Sequence, residues 1–307
     1  MAVDDSCSNG TDEKADIADI GTADAVVSLG PNCLPAYHIA KAGFKRRSFP
    51  FDVLMTGSDG WSAEESSIRL APVGLQLVLE CLERNPPFSD YVSTMTPLPS
   101  INAVGNAGFT DPEFIPSAHI HDDPREPEVA AKYQRRADRF LTLLESGYRV
   151  LFIYTMRLRE LKDPKHFINV AHRLPLQVAK LRELLVRRWP SSLNHLLVVV
   201  LGELPPVPPA QRALEACLSR LRSVNQSKDP WVMVRRIPDL PKVPGDPMAG
   251  FWGDDKAWTD LFSEFVIKPK DFSEACFQET TVLGSKSADD KSGFEKFVDS
   301  LKMIHPA

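Results

Sequence analysis

Short, almost continuous apolar runs alternate along this chain with longer stretches in which apolar residues recur every three or four positions. The runs at residues 25–29, 149–154, 195–201 and 231–237 are typical of strands that are buried on both faces of a sheet. The helical repeat is clearest from Glu128 to Gly147, where an amphipathic helix is predicted. Similar spacing predicts further helices at residues 34–42, 73–84, 175–189, 209–222 and after an N-cap at Asp254.

This alternation of strands and helices predicts an α/β fold with a mostly parallel central sheet. We expect a three-layer αβα architecture, similar to flavodoxin or the SGNH hydrolases, in a single domain with long loops. Functional sites of such sheets lie beyond the carboxyl ends of the strands. The segments expected at that edge are residues 30–33, 155–157, 202–203 and 238–239.

The chain divides into three parts by composition. Residues 1–22 are acidic and aperiodic, and are expected to be a disordered leader. Residues 23–270 form the α/β domain, and residues 271–307 form an extension with a short helix near 292–302. Within the domain, residues 85–127 are rich in Pro, Ser, Asn and Gly, and predict a long loop without regular structure that could serve as a lid.

Composition excludes several classes of function. The net charge of the 307 residues is −5, which argues against a nucleic-acid partner. No apolar run approaches the roughly 20 residues of a membrane helix, and the acidic start is unlike a secretion signal, so a cytoplasmic location is expected. The five cysteines form no C-x-x-C pair, and no glycine-rich phosphate loop is present. We expect no cofactor, and a small-molecule or peptide substrate.

Cys33 is the first candidate for chemistry, because it lies where the first strand ends and the first helix begins. A helix N-terminus favours an anion, and a thiol placed there is more easily ionised to the nucleophilic thiolate. The alternative is a small buried residue that fills a tight turn, because most free cysteines are inert. Asn32, in the same turn, is a candidate for binding a substrate.

A cysteine nucleophile needs a base, and His121 is the favoured candidate, with Asp122 or Asp52 to orient its ring. His119 and His121 share one side of an extended segment, so His119, His121 and Asp122 could instead bind a divalent metal. The same segment is also compatible with a polar surface loop. Arg135 and Arg136 could grip an anionic group of a substrate, or could belong to a solvated helix face.

Several motifs occur together in one order: S-L-G-P-N-C at residues 28–33, S-F-P-F-D at 48–52, the pair at 121–122, and K-Y-Q-R-R at 132–136 ahead of the strand V-L-F. In this order they resemble an uncharacterised family of papain-like cysteine peptidases. The resemblance covers residues 25–155, and extends more loosely to Gly253, Asp254, Asp255 and Trp258. Phe49 and Val53 replace the Tyr and Trp of the family pattern, which affects packing more than chemistry.

The resemblance implies that Cys33 is the nucleophile and His121 its base, with Asp52 and Asp122 as candidate orienting acids. His119 has no counterpart in the family pattern, which weakens the metal hypothesis. The papain fold is a two-lobed α+β structure, whereas the periodicity of this chain predicts a parallel sheet. We therefore take the fold from the periodicity, and apply the resemblance to the Cys/His pair. A non-catalytic module that binds a small anion with Asn32, Asp52 and Arg135 is the alternative function.

Overall fold

The structure is a computed structural model that describes residues 22–30, 33–52, 54–55, 75–89, 95–98, 103–106, 118–119, 126–158, 164–203, 207–225, 231–240 and 252–270. The predicted leader at 1–21 and the predicted extension at 271–307, with its short helix, lie outside the described residues. The described residues contain these helices, in chain order: α1 (Leu34–Lys41), α2 (Gln76–Glu83), α3 (Pro127–Glu145), α4 (Pro164–Arg188), α5 (Pro208–Ser223) and α6 (Asp255–Ser263). None of these helices is long and apolar enough to cross a membrane.

The strands among the described residues are β1 (Thr22–Ala23), β2 (Ala25–Ser28), β3 (Leu54–Met55), β4 (Met95–Leu98), β5 (Ala103–Asn106), β6 (Ala118–His119), β7 (Arg149–Arg157), β8 (Leu193–Leu201), β9 (Val232–Ile237) and β10 (Val266–Ile267). The four predicted buried runs correspond to β2, β7, β8 and β9. These strands form one parallel sheet in the order β2-β7-β8-β9. The predicted α/β fold with a parallel central sheet is therefore confirmed.

Helices cover both faces of the parallel sheet, because alternate side chains of each strand point to opposite sides. On one face, Phe152 of β7 and Val198 of β8 belong to a large apolar cluster with residues of α2, α3, α4 and α5. On the other face, Leu151 and Leu197 belong to a smaller cluster with residues of α1 and α6. We call these the α3 face and the α1 face.

Two predictions about local structure are wrong. Residues 85–127 are not without regular structure, because β4, β5 and β6 within them pair with β3 in an antiparallel sheet of order β3-β6-β5-β4. These strands have two to four residues each, too few for a period to be recognised in the sequence. Pro175 does not begin a helix but lies inside α4. Burial of Leu174 and Val178 on the α3 face holds the helix together across the missing N–H of Pro175.

The two ends of the described chain are joined at the side of the sheet. β1 pairs in parallel with β10, so that Thr22 lies opposite Val266 and Ala23 opposite Ile267. The pairing continues beyond β10, where the N–H groups of Lys268 and Lys270 donate to the carbonyls of Ala23 and Asp24, each at 2.9 Å. The Lys270 ammonium also lies 3.0 Å from the Asp24 carboxylate.

Candidate functional site

The carboxyl edge of the parallel sheet holds the segments that the sequence predicts there. Gly30 directly follows β2 and Leu29, and its carbonyl accepts the N–H of Thr155 in β7 at 3.2 Å. The backbone of Gly30 has φ 85°, a conformation that favours glycine over residues with a side chain. The chain therefore changes direction at the end of β2, shortly before α1 begins at the same edge.

Cys33 is the N-cap residue of α1 and is only 5% exposed. Its thiol makes no capping hydrogen bond to the helix backbone, and its carbonyl accepts the N–H of Tyr37 at 2.9 Å. Pro35 lies in the first turn, where its missing N–H is tolerated. The predicted position of Cys33, between a strand end and a helix start, is thus confirmed, whereas its reactivity stays a prediction.

Asp52 is buried in the loop that follows α1, and its carboxylate contacts other residues of the same loop. The Oδ2 atom accepts the backbone N–H of Phe49 at 3.0 Å and lies 2.9 Å from the Lys45 ammonium. A buried carboxylate needs such partners, because burial without them is costly. The ring of Phe49 packs against Phe140 of α3, so Asp52 fixes a loop that packs on the α3 face. Its role as an orienting acid stays a prediction.

Other predicted site residues lie outside the described part of the chain. These residues are Asn32, His121 and Asp122, and for His119 only the backbone is described, in β6. Among the residues that the structure describes, no group of three or more His, Cys, Asp or Glu side chains could hold a metal ion. The Cys33–His121 pair and the metal hypothesis are therefore both carried by sequence alone.

The structure separates the two neighbouring arginines of α3. Arg135 is exposed, whereas Arg136 is buried beside Tyr133, with its guanidinium carbon 5.3 Å from the centre of the Tyr133 ring. Helical spacing explains the difference, because position 136 follows Tyr133 by three residues and precedes Phe140 by four. Of the two predicted anion-binding arginines, only Arg136 faces the interior.

His38 belongs to a buried cluster on the α1 face that sequence reasoning did not identify. Its Nε2–H donates to the carbonyl of Trp252 at 2.6 Å, and its ring stacks on Trp258 with centroids 4.5 Å apart. Tyr37 stacks on Trp252, and Lys41 pairs with Asp255, so the outer side of α1 is fastened to residues 252–258. Burial lowers the pKa of His38 to about 4, which keeps the ring neutral near pH 7. His38 therefore holds in place the helix whose N-cap residue is Cys33.

Arg157 and Asp239 form a second buried feature of this edge. The guanidinium donates from Nε and Nη2 to the two carboxylate oxygens, each at 2.8 Å, in a bidentate pair. The pair joins the end of β7 to the segment after β9, and it passes beside Gly202 at the end of β8, where a Cβ would lie 3.6 Å from Asp239 Cβ. The sequence predicted that both residues lie at the carboxyl edge, but not that they meet.

A signal for these missed residues exists in the sequence, although it is weak. Arg157 ends β7 and Asp239 lies two residues after β9, so opposite charges stand at the carboxyl ends of the two buried strands that flank β8. The helical phase of α3 likewise separates Arg136 from Arg135. No family model, curated protein or solved structure matches this chain, so the case for a site depends on this geometry.

Proposed function

We propose that the protein is a cysteine-dependent hydrolase in which Cys33 is the nucleophile and His121 the general base. One observation carries the proposal: a thiol that does not cap the helix stands at the N-terminus of α1, at the carboxyl edge of a parallel sheet. That edge is where α/β proteins hold their substrates, and a helix N-terminus favours the thiolate over the thiol.

The reaction follows the general scheme of cysteine acyl transfer. His121 accepts the thiol proton, and the sulfur of Cys33 forms a bond to the acyl carbon of the substrate. The bond to the leaving group breaks, and the leaving group takes the proton from His121. A water molecule then gives a proton to His121 and attacks the thioester, which releases the acid and returns the proton to Cys33.

The first turn of α1 is the candidate oxyanion site in this scheme. Backbone N–H groups at a helix start point away from the helix, towards the negative oxygen that develops in the transition state. Pro35 has no N–H, so the N–H of Ala36 is the candidate. Asp122 is the favoured orienting acid, because Oδ2 of Asp52 already contacts Phe49 and Lys45.

The test measures acylation of individual cysteines by p-nitrophenyl acetate, with peptide mass spectrometry as the readout. We expect acetyl-Cys33 to accumulate in a burst, and the burst to be lost in Cys33→Ala. His121→Ala should slow acetylation at pH 7 at least tenfold, because proton removal from the thiol is lost.

Two matched controls accompany this test. Cys217→Ala removes a thiol whose pKa burial raises to about 12, and it should leave the burst unchanged. His172→Ala removes an exposed histidine of α4 and should also have no effect. Acetylation of Cys33 at the rate of free N-acetylcysteine, with no loss in His121→Ala, would contradict the proposal.

A further inference from the structure

Arg136 is a buried cation that pairs with no carboxylate among the residues that the structure describes. The residue is 9% exposed, and its buried Nη1 atom has no hydrogen-bond partner within the described part of the chain. The described carboxylates of α3 make other contacts or are exposed; Asp138, for example, accepts a hydrogen bond from Gln134 at 2.8 Å. Asp52, on the loop above Phe140, pairs with Lys45 instead. The ring of Tyr133 contacts this guanidinium, with the guanidinium carbon 5.3 Å from the ring centre.

Burial of the Arg136 guanidinium in this way is energetically unfavourable unless an anion pairs with it. Burying a charge without a partner disfavours the folded state by several kcal/mol, and arginine cannot avoid this by losing its proton. An aromatic ring against the guanidinium recovers only about 0.5–2 kcal/mol. Nη1 is still without a partner among the described residues, and the N–H groups of a guanidinium form a fork that fits two oxygens of a carboxylate or phosphate.

The position of Arg136 relates this cation to the carboxyl edge of the sheet. α3 ends at Glu145, just before β7 starts at the opposite edge, so the helix and the strand run in opposite directions. Arg136 precedes Glu145, the last residue of α3, by nine residues. It therefore lies about 13 Å along the helix axis from Glu145, in the direction of the carboxyl edge. Side chains on a helix lean towards its N-terminus, which aims the guanidinium further in that direction.

We propose that Arg136 is a recognition site for a small oxyanion, a carboxylate or phosphate group carried by the substrate. As a statement about the substrate, this inference rests on the proposed function, because it requires one molecule to contact both Arg136 and Cys33. As a statement about binding, it stands independently of any reaction.

The test titrates ¹⁵N-labelled protein with sodium phosphate and, separately, with sodium acetate at constant ionic strength, and follows the arginine Nε–Hε resonances by NMR. We expect a saturable shift of the Arg136 resonance with at least one of the two anions. Arg136→Met should weaken binding at least tenfold, as measured on the neighbouring backbone amides. Arg135→Met is the matched control, and should change the Kd less than twofold.

The outcomes separate the possible sources of the oxyanion. Binding of phosphate alone indicates phosphorylated substrates, and binding of acetate alone indicates carboxylates. No saturable shift with either anion, or equal effects of the Arg135 and Arg136 substitutions, would overturn the proposal. Cys33→Ala should bind the anion like the unmodified protein, so a failure of the hydrolase proposal and a failure of the anion site are distinguishable.

Discussion

Arg157 and Arg136 are buried on opposite faces of the same sheet, and their surroundings differ. Alternation along β7 places Arg157 on the α1 face, where Asp239 holds it through two hydrogen bonds. Arg136 lies on the α3 face against an aromatic ring, with its Nη1 atom unpaired among the described residues. Both burials remove a guanidinium from water, but among the described residues only Arg157 is compensated by a carboxylate. The first arginine therefore belongs to the folded framework, and the second points to a molecule from outside.

The strongest test of this comparison removes the partner of Arg157. Asp239→Asn removes the charge that holds the buried Arg157 guanidinium through two hydrogen bonds, and should lower the free energy of unfolding by about 3–5 kcal/mol. Chemical denaturation at pH 7 measures the change. Asp260→Asn, which removes the exposed partner of Lys256, is the control and should have little effect. A loss for Asp239→Asn no larger than that of the control would show that the buried pair is not a framework element.

A second test concerns His38, whose imidazole ring is buried on the α1 face and is neutral near pH 7. Its pKa is about 4 when folded and 6.5 when exposed, so the unfolded chain binds the proton first as the pH falls. The stabilisation is complete above pH 6.5, and about 3 kcal/mol of it is lost as the pH falls from 6.5 to 4. Denaturation curves at pH 7, 5.5 and 4.5 should show this decline.

The matched variant for this test is His38→Gln, whose amide can still donate to the carbonyl of Trp252. It should remove most of the decline between pH 6.5 and 4, whereas His172→Gln, on the exposed side of α4, should retain it. An identical slope in wild type and His38→Gln would mean that other groups produce the acid sensitivity.

The smallest effect on the free energy of unfolding is expected for a substitution of Arg136, and its size tests whether this arginine lacks a compensating charge. Arg136→Met replaces an uncompensated buried charge with an apolar side chain of similar length, so stability in anion-free buffer should change by less than about 1 kcal/mol, or increase. Arg157→Met is the contrasting control, because it takes from the buried Asp239 carboxylate the guanidinium that donates two hydrogen bonds to it. Comparable large losses in both variants, measured by chemical denaturation, would remove the distinction between the two arginines.

The parts of this fold that depend on near neighbours in the sequence could be predicted. The buried strands follow from their continuous apolar runs, and the position of Cys33 follows from a strand, a Gly-Pro turn and a helical repeat. The contacts of Arg157 could not be predicted in this way, because Asp239 is 82 residues further along the chain. The short antiparallel strands were missed for a related reason, since two to four residues carry no period and pairing alone defines them.

The pairing of β1 with β10 also determines how the domain responds to mechanical force. The two strands are parallel, so a pull on the N-terminal end of β1 and the C-terminal end of β10 acts in opposite directions along the pair. The backbone hydrogen bonds at Ala23 and Asp24 are then loaded together, in shear, instead of opening one after another. A pull on the two ends of the described domain is therefore resisted first by the β1–β10 pair, and the central sheet carries load only after this pair has separated.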